Sequence, residues 1–124
     1  MLKFINVTFL IIYCSFIYWL SSRQSLPTPM LFMHQDKIHH MGAYFIMGVF
    51  AWRFFNIYFS KPLLVSVISL CFCSLYGLSD EWHQSFVPGR DADVMDWVAD
   101  TLGAMISVCI IYFRKTRKTH PLIT

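Results

Sequence analysis

Between Ser79 and Gly103 the chain reads Ser-Asp-Glu-Trp-His-Gln-Ser-Phe-Val-Pro-Gly-Arg-Asp-Ala-Asp-Val-Met-Asp-Trp-Val-Ala-Asp-Thr-Leu-Gly, and six of its seven acidic residues lie there. The sequence on either side is apolar. An ionised carboxylate at membrane depth costs several kcal/mol unless it is paired or wetted, so this density of charge marks a site. Carboxylates crowded beside a histidine suit three kinds of chemistry. They can act as general acid or base on a phosphate or ester, hold a cation, or line a polar binding pocket.

Several chemistries lack support in the spacing. The run Asp80-Glu81-x-His83-Gln84 has no H-E-x-x-H and no i, i+4 histidine pair, the arrangement that puts two imidazoles on one helical face for zinc. His39, His40, Glu81 and Asp96 would have to converge from different segments, and so oxygen-rich a set suits a hard cation better than zinc. No metal and no other cofactor is expected on this reading. Ser79 and Ser85 flank His83 without a nucleophile elbow, and no Gly-rich phosphate loop is present. Cys14, Cys71, Cys73 and Cys109 all sit inside apolar runs, which argues against a disulfide framework and for packing or lipid-facing roles.

The elements that must position these residues follow from composition. The 124 residues are 56% hydrophobic, 18% aromatic and only 14% charged, against about 25% charged for a soluble domain. The expected fold class is all-α, a bundle of four transmembrane helices in a single membrane domain spanning residues 1–124. Span one runs Phe4 to Leu20; Leu20-Ser21-Ser22 is a poor signal-peptide cleavage site, so it reads as a retained anchor. Pro27 and Pro29 force an extended connection. Span two runs Lys37 to Phe55, with Arg53 snorkelling at its far end. Pro62 opens span three at the first helical position, where its missing N–H costs nothing, and the helix continues to Gln84. Pro88-Gly89 breaks the chain before span four, Ala92 to Phe113, which leads into the bases Arg114, Lys115, Arg117 and Lys118.

The basic residues speak for topology. The net charge of +3 is spread along membrane edges rather than gathered on one face, so no nucleic-acid partner is expected. Lys3, Arg53, Lys61 and the four tail bases share one side, and Arg23, Lys37 and Arg90 the other. The positive-inside rule then places both termini in the cytoplasm of a multi-pass protein of the bacterial cell membrane. All seven acids belong to the outer end, together with four of the five histidines.

Helical spacing sorts the polar residues onto faces. Span two carries Lys37, His40, Tyr44 and Gly48 on one stripe; span three carries Ser74, Gly77, Glu81 and Gln84; span four carries Asp93, Asp96, Asp100, Gly103 and Ser107. Small and polar residues favour helix contact inside a membrane, so these stripes are expected to face one another, with span one packed on the outside. Counting from Phe113 puts Asp100 about 20 Å and Asp96 about 25 Å from the cytoplasmic edge. At that depth Asp100 needs water, a proton, a cation, Lys37, Arg90 or a histidine beside it.

Taken together, Asp36-Lys37-x-x-His40 with Tyr44, Glu81-x-x-Gln84, Pro88-Gly89-Arg90, Asp96 and Gly103 resemble the motif set of the VanZ-like membrane proteins, over three of the four spans. Asp100 departs from that pattern, which has asparagine there. The family is named for a protein associated with resistance to the glycopeptide teicoplanin. The resemblance therefore implies a role at the cell envelope and leaves the molecular activity to the residues.

Each motif has a plain reading and a sharper one. Asp36 could simply cap span two, with His40 and Tyr44 at the interface; alternatively Lys37 and His40 are counter-charges for the carboxylates of spans three and four. Arg90 could pair locally with Asp91 or Asp93, or its planar guanidinium could receive a phosphate or carboxylate. The basic tail anchors the topology and meets anionic lipid. The reading adopted is an outward pocket formed by Asp36, Lys37, His40, Tyr44, Glu81, Gln84, Arg90, Asp93, Asp96 and Asp100, binding an envelope lipid or glycopeptide-type ligand. The alternatives are a membrane-embedded enzyme using Glu81, Asp96 or Asp100 with His40, and a purely structural network that locks the helices. Membrane lipids are the expected partners, and four short spans leave surface for a homo-oligomer.

Overall fold

The computed structural model describes residues 2–24, 29 and 31–119. Four helices follow in order, α1 (Leu2–Ser21), α2 (Gln35–Phe55), α3 (Pro62–Gln84) and α4 (Val94–Thr119), with no strand among the described residues. Pro62 occupies the start of α3, as its fixed φ favours. Pro27 lies outside the described residues, so the extended connection expected of the proline pair is not assigned.

At the polar end, the starts of α2 and α4 differ from the sequence reading. α2 begins at Gln35 rather than Lys37, and its N-cap is His34 in a left-handed conformation with no side-chain cap hydrogen bond. Asp36 is therefore not the cap; it sits in the first turn, where a carboxylate favours the helix dipole. Gln35 instead ties down the preceding chain, accepting from Leu31 N at 2.8 Å and donating to the Pro29 carbonyl at 3.2 Å. α4 begins at Val94 rather than Ala92 because Asp93 caps it, its Oδ1 accepting from Met95 N at 2.8 Å. At the other end α4 runs on through the basic tail, so Arg117 and Lys118 meet the negative end of its dipole.

Three segments, Lys3–Ser21, Pro62–Gln84 and Val94–Lys118, are long and apolar enough to cross a membrane. α2 is not among them, since Asp36, Lys37, His39 and His40 crowd one end and Arg53 the other. Like α3 it packs against all three other helices, most extensively against α4. Lys37, His40 and Tyr44 are thereby turned toward protein, while His39 stays exposed. α1 approaches only α2 and α3, which puts it on the outside of the bundle as its composition led us to expect. It is fastened by Tyr13, whose hydroxyl donates to the Ala43 carbonyl at 2.8 Å, and by Tyr76 of α3, which donates to the Cys14 carbonyl at 2.6 Å.

The three polar stripes do face one another, because glycines let the backbones meet. A Cβ on Gly103 would collide with the Met41 carbonyl, and one on Gly48 would collide with Ser107 Oγ and lie 3.1 Å from the Ala104 carbonyl. A Cβ on Gly77 would stand 3.1 Å from Asp100 Oδ2 and 3.4 Å from Trp97. α3 and α4 are further joined by Trp97 Nε1 donating to the Ser74 carbonyl at 3.0 Å, and by the Ser74 and Thr101 hydroxyls 3.1 Å apart. The bundle thus has two unlike ends. At the basic end Arg53 donates to Asn6 Oδ1 at 3.2 Å and Lys115 lies over the Trp52 ring at 4.7 Å. The acids gather at the opposite, polar end.

Gly103 supplies the critical approach of α4 to α2, whereas a Cβ on Gly42 meets nothing within 4 Å. Gly103→Ala is expected to destabilise the bundle by about 1–3 kcal/mol, the cost of overpacking, even though alanine is the better helix former. Gly42→Ala should leave stability unchanged or slightly raised. Denaturant unfolding of both variants in detergent measures the difference.

Candidate functional site

The polar end is organised by Lys37, whose Nζ lies 2.5 Å from Asp93 Oδ2, 2.5 Å from Asp96 Oδ1 and 3.0 Å from Asp36 Oδ2. An ammonium offers three donors, and all three are spent on carboxylates. Asp93 shares its carboxylate between two tasks, capping α4 with Oδ1 and binding Lys37 with Oδ2. Its backbone N–H is in turn received by Glu81 Oε2 at 2.9 Å. Lys37 on α2, Glu81 on α3 and the start of α4 are thus locked in one chain of charge-assisted bonds.

Asp93 precedes the α4 span, and the Lys37 ammonium hydrogen-bonded to it, helped by the Met95 N–H, holds its carboxyl below the usual carboxylate range.

One turn deeper, His40 Nδ1 lies 2.9 Å from Asp100 Oδ1, and its Nε2 lies 3.8 Å from Asp96 Oδ2. Of the partners that the depth of Asp100 called for, the fold supplies the histidine. Asp100 is completely buried and Glu81 nearly so, at 0% and 5% exposure. Each keeps one buried oxygen with no hydrogen-bond partner, Oδ2 of Asp100 and Oε1 of Glu81. The Tyr44 hydroxyl, one turn below His40 on the same face, is likewise buried and unpartnered.

Beside this cluster is a small open cavity of about 70 Å³ between α1, α2 and α3, bordered by Arg90 from the turn after α3. His39, His40, Tyr44, Asp80, Gln84 and Arg90 supply its polar lining. Gln84 Nε2 donates to Asp80 Oδ2 at 3.2 Å, one turn apart on α3. Arg90 arrives through a turn in which its N–H returns to the Val87 carbonyl at 3.1 Å, with Pro88 second and Gly89 third at φ 81°. That conformation suits proline and then glycine, which is the physical content of the Pro-Gly-Arg motif. The local pair with Asp91 or Asp93 does not form: Arg90 makes no ion pair among the described residues, and its Nε is buried without a partner.

A family model described as VanZ/LLP1 matches residues 4–115. The chain belongs to the VanZ/LLP1 family. No curated protein and no solved structure gives a significant match. The site residues expected from the sequence of this VanZ/LLP1 chain occupy three adjoining places. Asp36, Lys37, Asp93 and Asp96 form the ammonium-centred knot, His40, Glu81 and Asp100 the deeper cluster, and Tyr44, Gln84 and Arg90 reach the cavity together with His40. Asp36 is the most peripheral, bonded only to Lys37. Asp96, although within reach of His40, is held chiefly by Lys37.

Asp80, His39 and Ser21 line the cavity and were not singled out as site residues by spacing. Asp80 was legible in principle, since it stands one turn before Gln84 on the same face. Ser21 was not, because its position depends on how α1 docks. His83, by contrast, serves to fasten α1: its Nε2 lies 3.0 Å from Ser22 Oγ and its ring 4.6 Å from that of Tyr18. Ser79 and Ser85 donate to carbonyls of their own segment, Tyr76 and Trp82, and offer no nucleophile beside it.

Lys37→Gln removes the one ammonium that, among the described residues, is bonded to Asp36, Asp93 and Asp96, and leaves the buried Asp96 carboxylate with only His40 at 3.8 Å. Stability should fall by about 3 kcal/mol, the low end for breaking a buried pair. A depressed carboxyl stabilises the fold above its unfolded pKa and loses that contribution as pH falls through the folded value. The Asp93 share is therefore complete at neutral pH and disappears in acid, below about pH 4. NMR titration of the Asp93 carboxyl should show its midpoint rising in Lys37→Gln.

Proposed function

We propose that this protein binds the headgroup of an envelope lipid at its polar end, with both termini cytoplasmic and the polar end facing outward across the bacterial cell membrane. The observation that carries this reading is Arg90. Amid an excess of acids its guanidinium is paired with none of them, and its buried Nε looks for an acceptor at the mouth of a cavity. A planar guanidinium in that position suits a phosphate or carboxylate, which it can grip with two parallel hydrogen bonds. Asp80, held by Gln84, supplies acceptors for a hydroxyl or amine of the same headgroup. A cavity of about 70 Å³ takes only the tip of such a molecule, so its acyl chains remain in the surrounding lipid.

The helix-locking alternative accounts for the Lys37 knot, where every donor is used. It leaves Arg90, Tyr44 and the free oxygens of Glu81 and Asp100 without a role, since a network selected only for stability satisfies its buried groups.

A photoreactive side chain at His39, which is exposed and lines the cavity, is expected to label phospholipid or lipid-linked envelope precursors well above a probe at the exposed Phe16 of α1. Arg90→Gln should reduce the labelling at His39 and leave that at Phe16 unchanged. Equal labelling at the two positions, or labelling at His39 indifferent to Arg90, overturns the proposal.

A further inference from the structure

His40, Glu81 and Asp100 come from three different helices, and each offers a ligand atom within 4.8 Å of the other two. Two features separate this cluster from an ordinary collection of acids. Asp100 and Glu81 are 0% and 5% exposed, and their unpartnered oxygens, Oδ2 and Oε1, are buried. Their companion oxygens are occupied, Asp100 Oδ1 by His40 and Glu81 Oε2 by the Asp93 N–H, so the carboxylates are held in fixed orientations. The Tyr44 hydroxyl, 1% exposed and unpartnered, lies one turn below His40.

Charge balance points the same way. The nearby ammonium, Lys37, is saturated by Asp36, Asp93 and Asp96, and Arg90 pairs with no carboxylate. Two buried carboxylates therefore have only an imidazole to offset them, whereas buried charges are as a rule paired or bound to metal. A divalent ion between two carboxylates and a neutral imidazole makes an uncharged unit, which a bundle interior tolerates.

We propose that His40, Glu81 and Asp100 form a binding site for a divalent first-row transition-metal ion, of the manganese or zinc class. Contrary to the sequence expectation of no metal, and of a hard cation before zinc, the cluster that forms has an imidazole as one of its three ligands; manganese, the hardest of the first-row ions, and zinc both accept such a mixed set, while magnesium and calcium favour oxygen alone. Bond lengths of about 2.0–2.2 Å require the three side chains to draw in around the ion, a rotamer adjustment for each. When Nδ1 exchanges Asp100 Oδ1 for the ion, His40 Nε2 remains on the side of Asp96 Oδ2, now 3.8 Å away, where a small shift would give the carboxylate partner that orients a metal-bound histidine. Of the three ligands, His40 also borders the small cavity, together with Tyr44. The site is independent of the headgroup reading, because Arg90 is not a ligand and lipid labelling can succeed or fail without metal.

The test uses the full chain in detergent, freed of metal with a chelator, and titrated separately with Mn2+, Zn2+, Mg2+ and Ca2+. Expected are one Mn2+ or Zn2+ per chain with a rise in melting temperature, and in pulsed EPR a nitrogen coupling to bound Mn2+ that is lost in His40→Asn. Glu81→Gln and Asp100→Asn should each weaken Mn2+ binding at least tenfold, while Asp91→Asn, at an exposed carboxylate outside the cluster and the Lys37 knot, leaves it unchanged. Asp100→Asn also separates this site from a structural network. It removes a buried charge at constant size, so the metal-free variant should be as stable as the parent or more so, yet gain nothing from Mn2+. Absence of one-per-chain Mn2+ or Zn2+ binding overturns the proposal, as does unchanged binding in Glu81→Gln and Asp100→Asn, or Mg2+ and Ca2+ binding as tightly as Mn2+.

Discussion

One ammonium group holds the polar end together. Lys37 projects from the first turn of α2 into three carboxylates, one on its own helix and two at the start of α4, and one of those two is the N-cap of α4. Removing charges from water is costly, and only close, multiply hydrogen-bonded geometry repays it. The position of α4 against α2 is thus tied to Lys37 and, one turn deeper, to His40 at this end, and to the glycine contacts of Gly48 and Gly103 further along. α3 joins the same arrangement because Glu81 receives the Asp93 N–H.

The saturation of Lys37 shapes everything below it. With its donors spent, the deeper acids must find other compensation, and Asp100 finds His40. That pairing is partial, since one oxygen of Asp100 and one of Glu81 remain buried and unmatched, while Arg90 stands apart at the cavity with an unmatched nitrogen. Unsatisfied buried polar atoms are few in native proteins, and each calls for an explanation. Here the charged ones form two chemically opposite sets, oxygens of Glu81 and Asp100 that suit a cation and the Arg90 guanidinium that suits an anion, beside the neutral hydroxyls of Ser21 and Tyr44.

Membership of the VanZ/LLP1 family gives these residues a common frame without assigning them a reaction. The Pro-Gly-Arg turn illustrates how a motif reads physically. Proline and a positive-φ glycine reverse the chain after α3, and the reversal delivers Arg90 to the cavity rather than to the neighbouring acids. His83 and its serines show the converse, a histidine in a polar run that fastens α1 to α3.

Four helices, their approximate limits, and the faces on which Lys37, His40, Glu81, Asp96 and Asp100 lie were all determined by the sequence alone. Hydropathy sets the length of a span, and a period of 3.6 residues assigns each side chain a direction. The helix starts were misread by two residues at α2 and α4 because caps act locally: Asp36 had the composition of a cap, and Asp93 had the geometry. Only the tertiary structure decided which acid meets which cation. Periodicity fixes direction around a helix but not the offset between neighbouring helices. That offset comes from backbone contacts such as Gly103 against Met41, which set Lys37 level with Asp93 and Asp96, and His40 level with Asp100. The same offset, together with the docking of α1, creates the cavity that Asp80, Ser21 and Arg90 share, a space no spacing within one helix encodes.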